Sequence, residues 1–233
     1  MLKKIQKLLR RIVLLFFGST ILFVIIYRWC PVYVTPLMFI RCVQQVCHGE
    51  KLRLRHHWVP LTDISHNFPQ AVMAAEDNLF LRHNGFDFEQ IYRARLDAMH
   101  GKGERGASTI SQQTAKNVFL WPGHNWLRKG LEAYFTVLIE HIWGKRRIME
   151  VYLNSIETGH GIYGVEAVAQ MHFATHANAV SARQAALVAA SLPAPLKRDS
   201  AHPSAYMVKR SKQITSLMRK IDTFPADDTA PAK

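Results

Sequence analysis

The sequence predicts a mainly α fold carried on one N-terminal membrane helix. Apolar residues between Leu61 and Arg219 recur at helical rather than alternating spacing, and proline or capping residues punctuate those stretches where helices should start and stop. Ahead of them, Ile12 to Tyr27 forms a run of sixteen residues with no charge. Of 233 residues, 48% are hydrophobic and 20% charged, a balance that suits one folded domain plus an appendage and excludes a disordered chain.

Residues 1–11 form a basic tail, with Lys3, Lys4, Lys7, Arg10 and Arg11, expected on the cytoplasmic side. Residues 12–29 form the anchor. Its apolar run is shorter than the ~20 residues that span a bilayer, but snorkelling by Arg11 and Arg28 and a Tyr27/Trp29 belt extend it. A cleaved signal peptide would need a small-x-small site, whereas Arg28-Trp29-Cys30-Pro31 is bulky. Residues 30–60 read as a juxtamembrane connector. It contains Cys42 and Cys47, whose spacing allows a small-loop disulfide or two free thiols.

Residues 61–219 are the main domain. A first-turn Pro69 and a stop at Gly85 predict one helix from Pro69 to His83. Thr109-x-x-Gln112 is a capping box that starts a second, running past Lys116. Leu127, Leu131, Tyr134, Phe135, Leu138 and Ile142 form the inward stripe of a third; Arg146 to Asn154, with Ile148, Val151 and Tyr152 inward, is a fourth. Ser181 to Leu192, stopped by Pro193 and Pro195, is a fifth. Persuasive strands are absent, and residues 220–233 read as a disordered tail.

The net charge is +13, of which the basic tail supplies five, leaving +8 from residue 12 onward. Beside an anchor, the anions such an excess would meet are lipid head groups and lipid-linked phosphates. Nucleic acid is disfavoured, because no RRM, zinc-finger or helix-turn-helix signature is present.

Three stretches could carry chemistry. On the predicted helix, Glu76 lies within about 60° of Val72, Met73, Leu79, Phe80 and His83, so burial should raise its pKa toward that of a useful base. The alternative is a carboxylate paired with Arg82 or His83. Glu132 follows Arg128 and Lys129 by four and three residues, a spacing that should hold it ionised but also describes an ordinary surface ion pair. In Arg105-GASTISQQTAKN-Asn117, Ser108 and Thr109 sit at a helix N-terminus while Gln112, Gln113 and Lys116 lie one turn on, an anion-friendly cradle. An ordinary capped helix would show some of the same residues.

Two patterns mislead. Gly159-His-Gly-Ile-Tyr-Gly164 fits a dinucleotide fingerprint, but a helical run rather than a strand precedes it. His172 and His176 have zinc-helix spacing without the accompanying glutamate, since residue 173 is Phe.

The motifs EDNLFLRHNG, GASTISQQTAKN, RKGLE, RRIMEVYLN and AALVAASLPAP, in this order between Leu61 and Leu196, resemble those of the peptidoglycan glycosyltransferases of glycosyltransferase family 51, in particular the monofunctional anchored ones. The resemblance implies a lysozyme-like domain that joins lipid II units to a growing glycan strand. The 4-hydroxyl of lipid II displaces undecaprenyl diphosphate with inversion, forming a β-1,4 link. Glu76 matches the family's base and Glu132 its second glutamate, which assists the departing diphosphate. Lys116, Lys129 and Arg128 match diphosphate-neutralising positions; Phe80, Ser108, Gln112, Gln113 and Asn117 match positions lining the cleft. No cofactor is required, although a divalent cation (Mg or Mn) could sit at the diphosphate.

The implied partners are lipid II, the growing strand, membrane lipids, and transpeptidases or other divisome or elongation proteins. The implied location is the bacterial cytoplasmic membrane, with the catalytic domain on the periplasmic side. A glycan-cleaving enzyme and a weakly active scaffold of the wall-synthesis machinery are the rivals. The chain departs from the family at His124, where arginine is common, at Gln170-Met-His-Phe173, where many members have Gln-Arg-Tyr-Phe, and at Gln184, often a glutamate.

Overall fold

The computed structural model describes residues 2–101, 106–123 and 125–225. Helix α1 (Leu2–Tyr27) is long and apolar enough to cross a membrane, about 39 Å at 1.5 Å per residue. It continues through the basic tail, and its last turns lie against the domain. Trp143 Nε1 donates to the carbonyl of Val24 (2.7 Å), the Thr20 and Tyr134 hydroxyls share a hydrogen bond (2.9 Å), and Arg147 donates to the carbonyl of Tyr27.

The expected connector is more ordered than its composition suggests. Thr35 caps α2 (Pro36–Cys47), and Pro36 presets its first turn. Strand β1 (Arg55–His56) then joins a small sheet, so the folded unit begins ahead of Leu61, the boundary expected from sequence. Cys30, Cys42 and Cys47 are free; Cys42 and Cys47 lie on the same helix.

The body consists of α3 (Asn67–Glu76), α4 (Phe88–Met99), α5 (Ile110–Phe119), α6 (Trp126–Ile142), α7 (Gly144–Ser155), α8 (Val165–Phe173), α9 (Ala182–Ser191) and α10 (Ala205–Met218). α3 packs on α9 and α10, and α5 on α6 and α7. Phe68, Met73, Phe80, Ile110, Ile139, Ile148 and Tyr152 are wholly buried between these layers. The inward face of α7 is the one its sequence predicts.

Strands β2 (Glu157–Gly159) and β3 (Ile162–Tyr163) complete a sheet of order β1-β3-β2, parallel on one side of β3 and antiparallel on the other. Strands this short carry no alternating pattern, which is why the sequence showed none. The glycines of the misleading fingerprint serve this sheet. Gly161 (φ +72°) and Gly164 (φ +79°) adopt left-handed conformations, and a Cβ would lie 2.4 Å from the carbonyl oxygen of Arg53 at the first and 2.6 Å from that of Asn154 at the second.

Three predicted boundaries or faces differ from those observed. The helix expected from Pro69 to His83 ends at Glu76, because Asp77 leaves helical geometry (φ −158°, ψ 80°) and gives its carboxylate to tertiary partners. The stripe expected on α6 is rotated: Leu127 is exposed, the wholly inward positions are Arg128, Glu132, Phe135, Thr136 and Ile139, and Tyr134 faces α1. The tail expected to be disordered from residue 220 is packed as far as Pro225. Gln70 holds the carbonyl of Asp222 and the N–H of Phe224, Arg82 pairs with Asp222, and Phe224 is buried. Residues 226–233 lie outside the described residues.

Candidate active site

Glu76 is the last residue of α3 and is half-buried. Its Oε2 accepts from Gln113 Nε2 (2.9 Å), and Gln113 Oε1 accepts from the hydroxyl of buried Tyr152 (3.2 Å). A chain of two hydrogen bonds therefore fixes the carboxylate's direction. Burial pushes the Glu76 pKa up; the Gln113 hydrogen bond and the charge of Arg210 on α10 pull against it without cancelling it. The pairing alternatives fail, because Arg82 binds Asp222 and His83 binds Asp77.

Asp77 has a different task. Its carboxylate accepts from the backbone N–H of Ile110 (3.0 Å) and meets His83 Nε2 at 2.9 Å. It therefore clamps the end of α3 to the first turn of α5. That clamp sets where Gln113 stands relative to Glu76.

The capping box at Thr109 and Gln112 starts α5 as its sequence predicts. Gln112 spends its Oε1 on the Thr109 N–H (3.0 Å), so it lines the cleft mainly as a structural group. One turn further, Lys116 is half-buried, and burial lowers its pKa while Glu132 pulls it back up. On α6, Arg128 Nη1 donates to Glu132 Oε2 (3.0 Å), and Lys129 Nζ binds Glu132 Oε1. Glu132 is 3% exposed, which rules out the ordinary surface pair. Arg128 Nε is buried and has no partner among the described residues, leaving a donor for a ligand oxygen.

These residues line two adjoining cavities. One, of about 480 Å³, is lined by Ser108, Gln112, Gln113, Lys116, Asn117, Arg128, Lys129 and Glu132, together with Arg41 and Glu157. The other, of about 470 Å³, holds Glu76 together with Asn78, Gln90 and Arg210. Ser108 and Gln113 belong to both, so they form the shared wall. A carboxylate with a raised pKa on one side and a cluster of cations on the other suit a displacement whose leaving group is an anion.

Phe80 does not line either cavity. It is wholly buried, with the Lys145 ammonium 4.6 Å from its ring centre, and so supports the site from behind. Arg41, Glu157 and Arg210 were missed in the sequence, where no local pattern marks them. His124 lies outside the described residues. His172 binds Ser200 and His176 binds Glu166, so the two histidines of the zinc-like spacing serve different partners.

A family model described as Transglycosylase matches residues 44–219. The chain is 57% identical over 224 residues to a protein of Bacteroides thetaiotaomicron, covering 96% of this chain and 90% of that one. It is 51% identical over 210 residues to one of Bdellovibrio bacteriovorus (90% and 84% covered), and 50% identical over 214 residues to one of Caulobacter vibrioides (90% and 91% covered). Each of these relatives is named biosynthetic peptidoglycan transglycosylase.

Proposed function

The chain belongs to the transglycosylase family, and from that premise we propose that it lengthens peptidoglycan glycan strands by an inverting displacement in which Glu76 is the general base. The observation that carries this reading is the shared wall: a half-buried, hydrogen-bond-oriented carboxylate on one side, a cation-lined cavity on the other. The 4-hydroxyl of lipid II, bound beside Glu76, attacks the anomeric carbon at the reducing end of the growing strand. The C–O bond to the diphosphate breaks, its electron pair leaves with undecaprenyl diphosphate, and the hydroxyl proton passes to Glu76. Lys116, Arg128 and Lys129 meet the departing charge.

Glu132 orients Arg128 and Lys129. Both of its oxygens are engaged by those cations, and Glu157, the other carboxylate of the cavity, is engaged by Arg41. These side chains do not make a ready divalent-cation site, and no step above runs through a metal. α1 would hold the domain at the outer face of the cytoplasmic membrane, with its lysines and arginines inside. Membrane lipids and the transpeptidases that would cross-link the product are the partners this reading carries.

Detergent-solubilised chain supplied with lipid II should form polymer. Glu76→Gln should reduce the rate by at least about 10²-fold. Its circular dichroism and thermal midpoint should match the parent's or exceed it, because the change removes a charge that burial disfavours. Cleavage of purified sacculi without polymer, or normal polymerisation by the variant, would overturn the assignment.

A further inference from the structure

The juxtamembrane helix α2 supplies one wall of the cation-lined cavity. Met38 and Gln45 fix its inner face: Met38 is 1% exposed, and Gln45 exchanges hydrogen bonds with the backbone of Arg53 (2.7 and 3.2 Å). Arg41, one turn after Met38 and one before Gln45, shares that face. Its guanidinium forks onto Glu157, with Nε to Oε1 at 3.1 Å and Nη2 to Oε2 at 3.3 Å, and Nη1 donates to Gln44 Oε1 at 3.1 Å. Leu37 and Arg41 line the same cavity as Lys116, Arg128 and Lys129.

The charges of this cavity are informative. Among the described residues, four cationic side chains and two carboxylates line it, leaving two positive charges unbalanced, which is the complement of a diphosphate diester. The Arg41–Glu157 pair is internally neutral, so what Arg41 adds is directed N–H donors rather than net charge. A planar guanidinium held by a buried carboxylate is also preorganised, so little side-chain freedom remains to be lost when an anion arrives.

We propose that Arg41 is a further diphosphate-binding residue, presented by the juxtamembrane helix and aimed by Glu157, which grips the leaving diphosphate together with the cations of α5 and α6. The inference rests on the polymerase reading for the identity of its ligand. It also makes the segment between anchor and domain part of the substrate site.

The competing role for Arg41 is to neutralise Glu157. The double variant Arg41→Ala/Glu157→Gln separates the two roles, because it removes the cation without leaving a buried carboxylate unpaired. Undecaprenyl diphosphate binding to the full-length chain in detergent would be measured by titration, alongside KM and kcat for lipid II. The double variant should keep the parent's thermal midpoint yet bind undecaprenyl diphosphate at least about tenfold more weakly, as loss of a charge-assisted hydrogen bond implies. Its KM should rise more than its kcat falls, and Arg41→Lys should recover part of the binding. Parental affinity in the double variant would overturn the proposal. If the parent bound the diphosphate but made no polymer, the polymerase reading would fail while the binding comparison still decided the role of Arg41.

Discussion

Glu76 sits where burial, the negative end of the α3 dipole and the neighbouring Asp77 disfavour its charge, while a hydrogen bond from Gln113 and the charges of Arg210 and Lys116 oppose them. As the proposed base, Glu76 must be ionised to accept a proton, so activity should fall as pH drops through its raised pKa. Gln113→Ala removes a bond made to the charged form and should raise that pKa further. The acidic limb of the pH–rate profile should therefore move to higher pH, with the largest loss of rate on the acidic side; a limb that stays in place would show that Gln113 does not set the base. Glu76 was legible in the sequence as a carboxylate among apolar residues, although part of that reasoning rested on a helix that stops earlier. Val72 and Met73 do share α3 with it, whereas Leu79, Phe80 and His83 follow the break at Asp77. That break depends on the N–H of Ile110, 33 residues away, and local spacing contains nothing of it.

Elements with chemically specific ends were the most readable. The boxes Thr109/Gln112 and Ser181/Gln184 are local hydrogen-bond reciprocities, and both helices begin where those residues place them. α2 buries only Met38 and Gln45, and α4 buries none of its residues, so neither announces a core stripe. The sheet was unreadable for another reason, since two- and three-residue strands show no period. Its demands fall instead on glycine. Gly164→Ala would force a Cβ into a left-handed residue and against the Asn154 carbonyl, and should lower stability by about 3 kcal/mol, read as a fall in the urea midpoint at unchanged slope. Gly106→Ala, where a Cβ meets nothing within 4 Å, is the control and should cost far less.

Across the whole molecule, the net charge of +13 includes two clusters, the basic start of α1 and the cation-lined cavity. Salt should weaken both attractions, so KM for lipid II should rise several-fold between roughly 0.05 and 0.5 M salt while kcat changes less. A KM indifferent to salt would remove charge attraction from substrate capture. The anchor was legible as an apolar run, but its attachment to the domain was not. That attachment satisfies backbone carbonyls at the end of α1: Val24 by Trp143, Tyr27 and Cys30 by Arg147. Helix ends normally leave such carbonyls for water or head groups. Here they are bolted to α6 and α7, so α1 is joined to the domain as a mast rather than a tether, and the heading of the helix sets the heading of the cleft. In the proposed membrane setting, a substrate whose diphosphate rides at constant depth would need to search only in two dimensions.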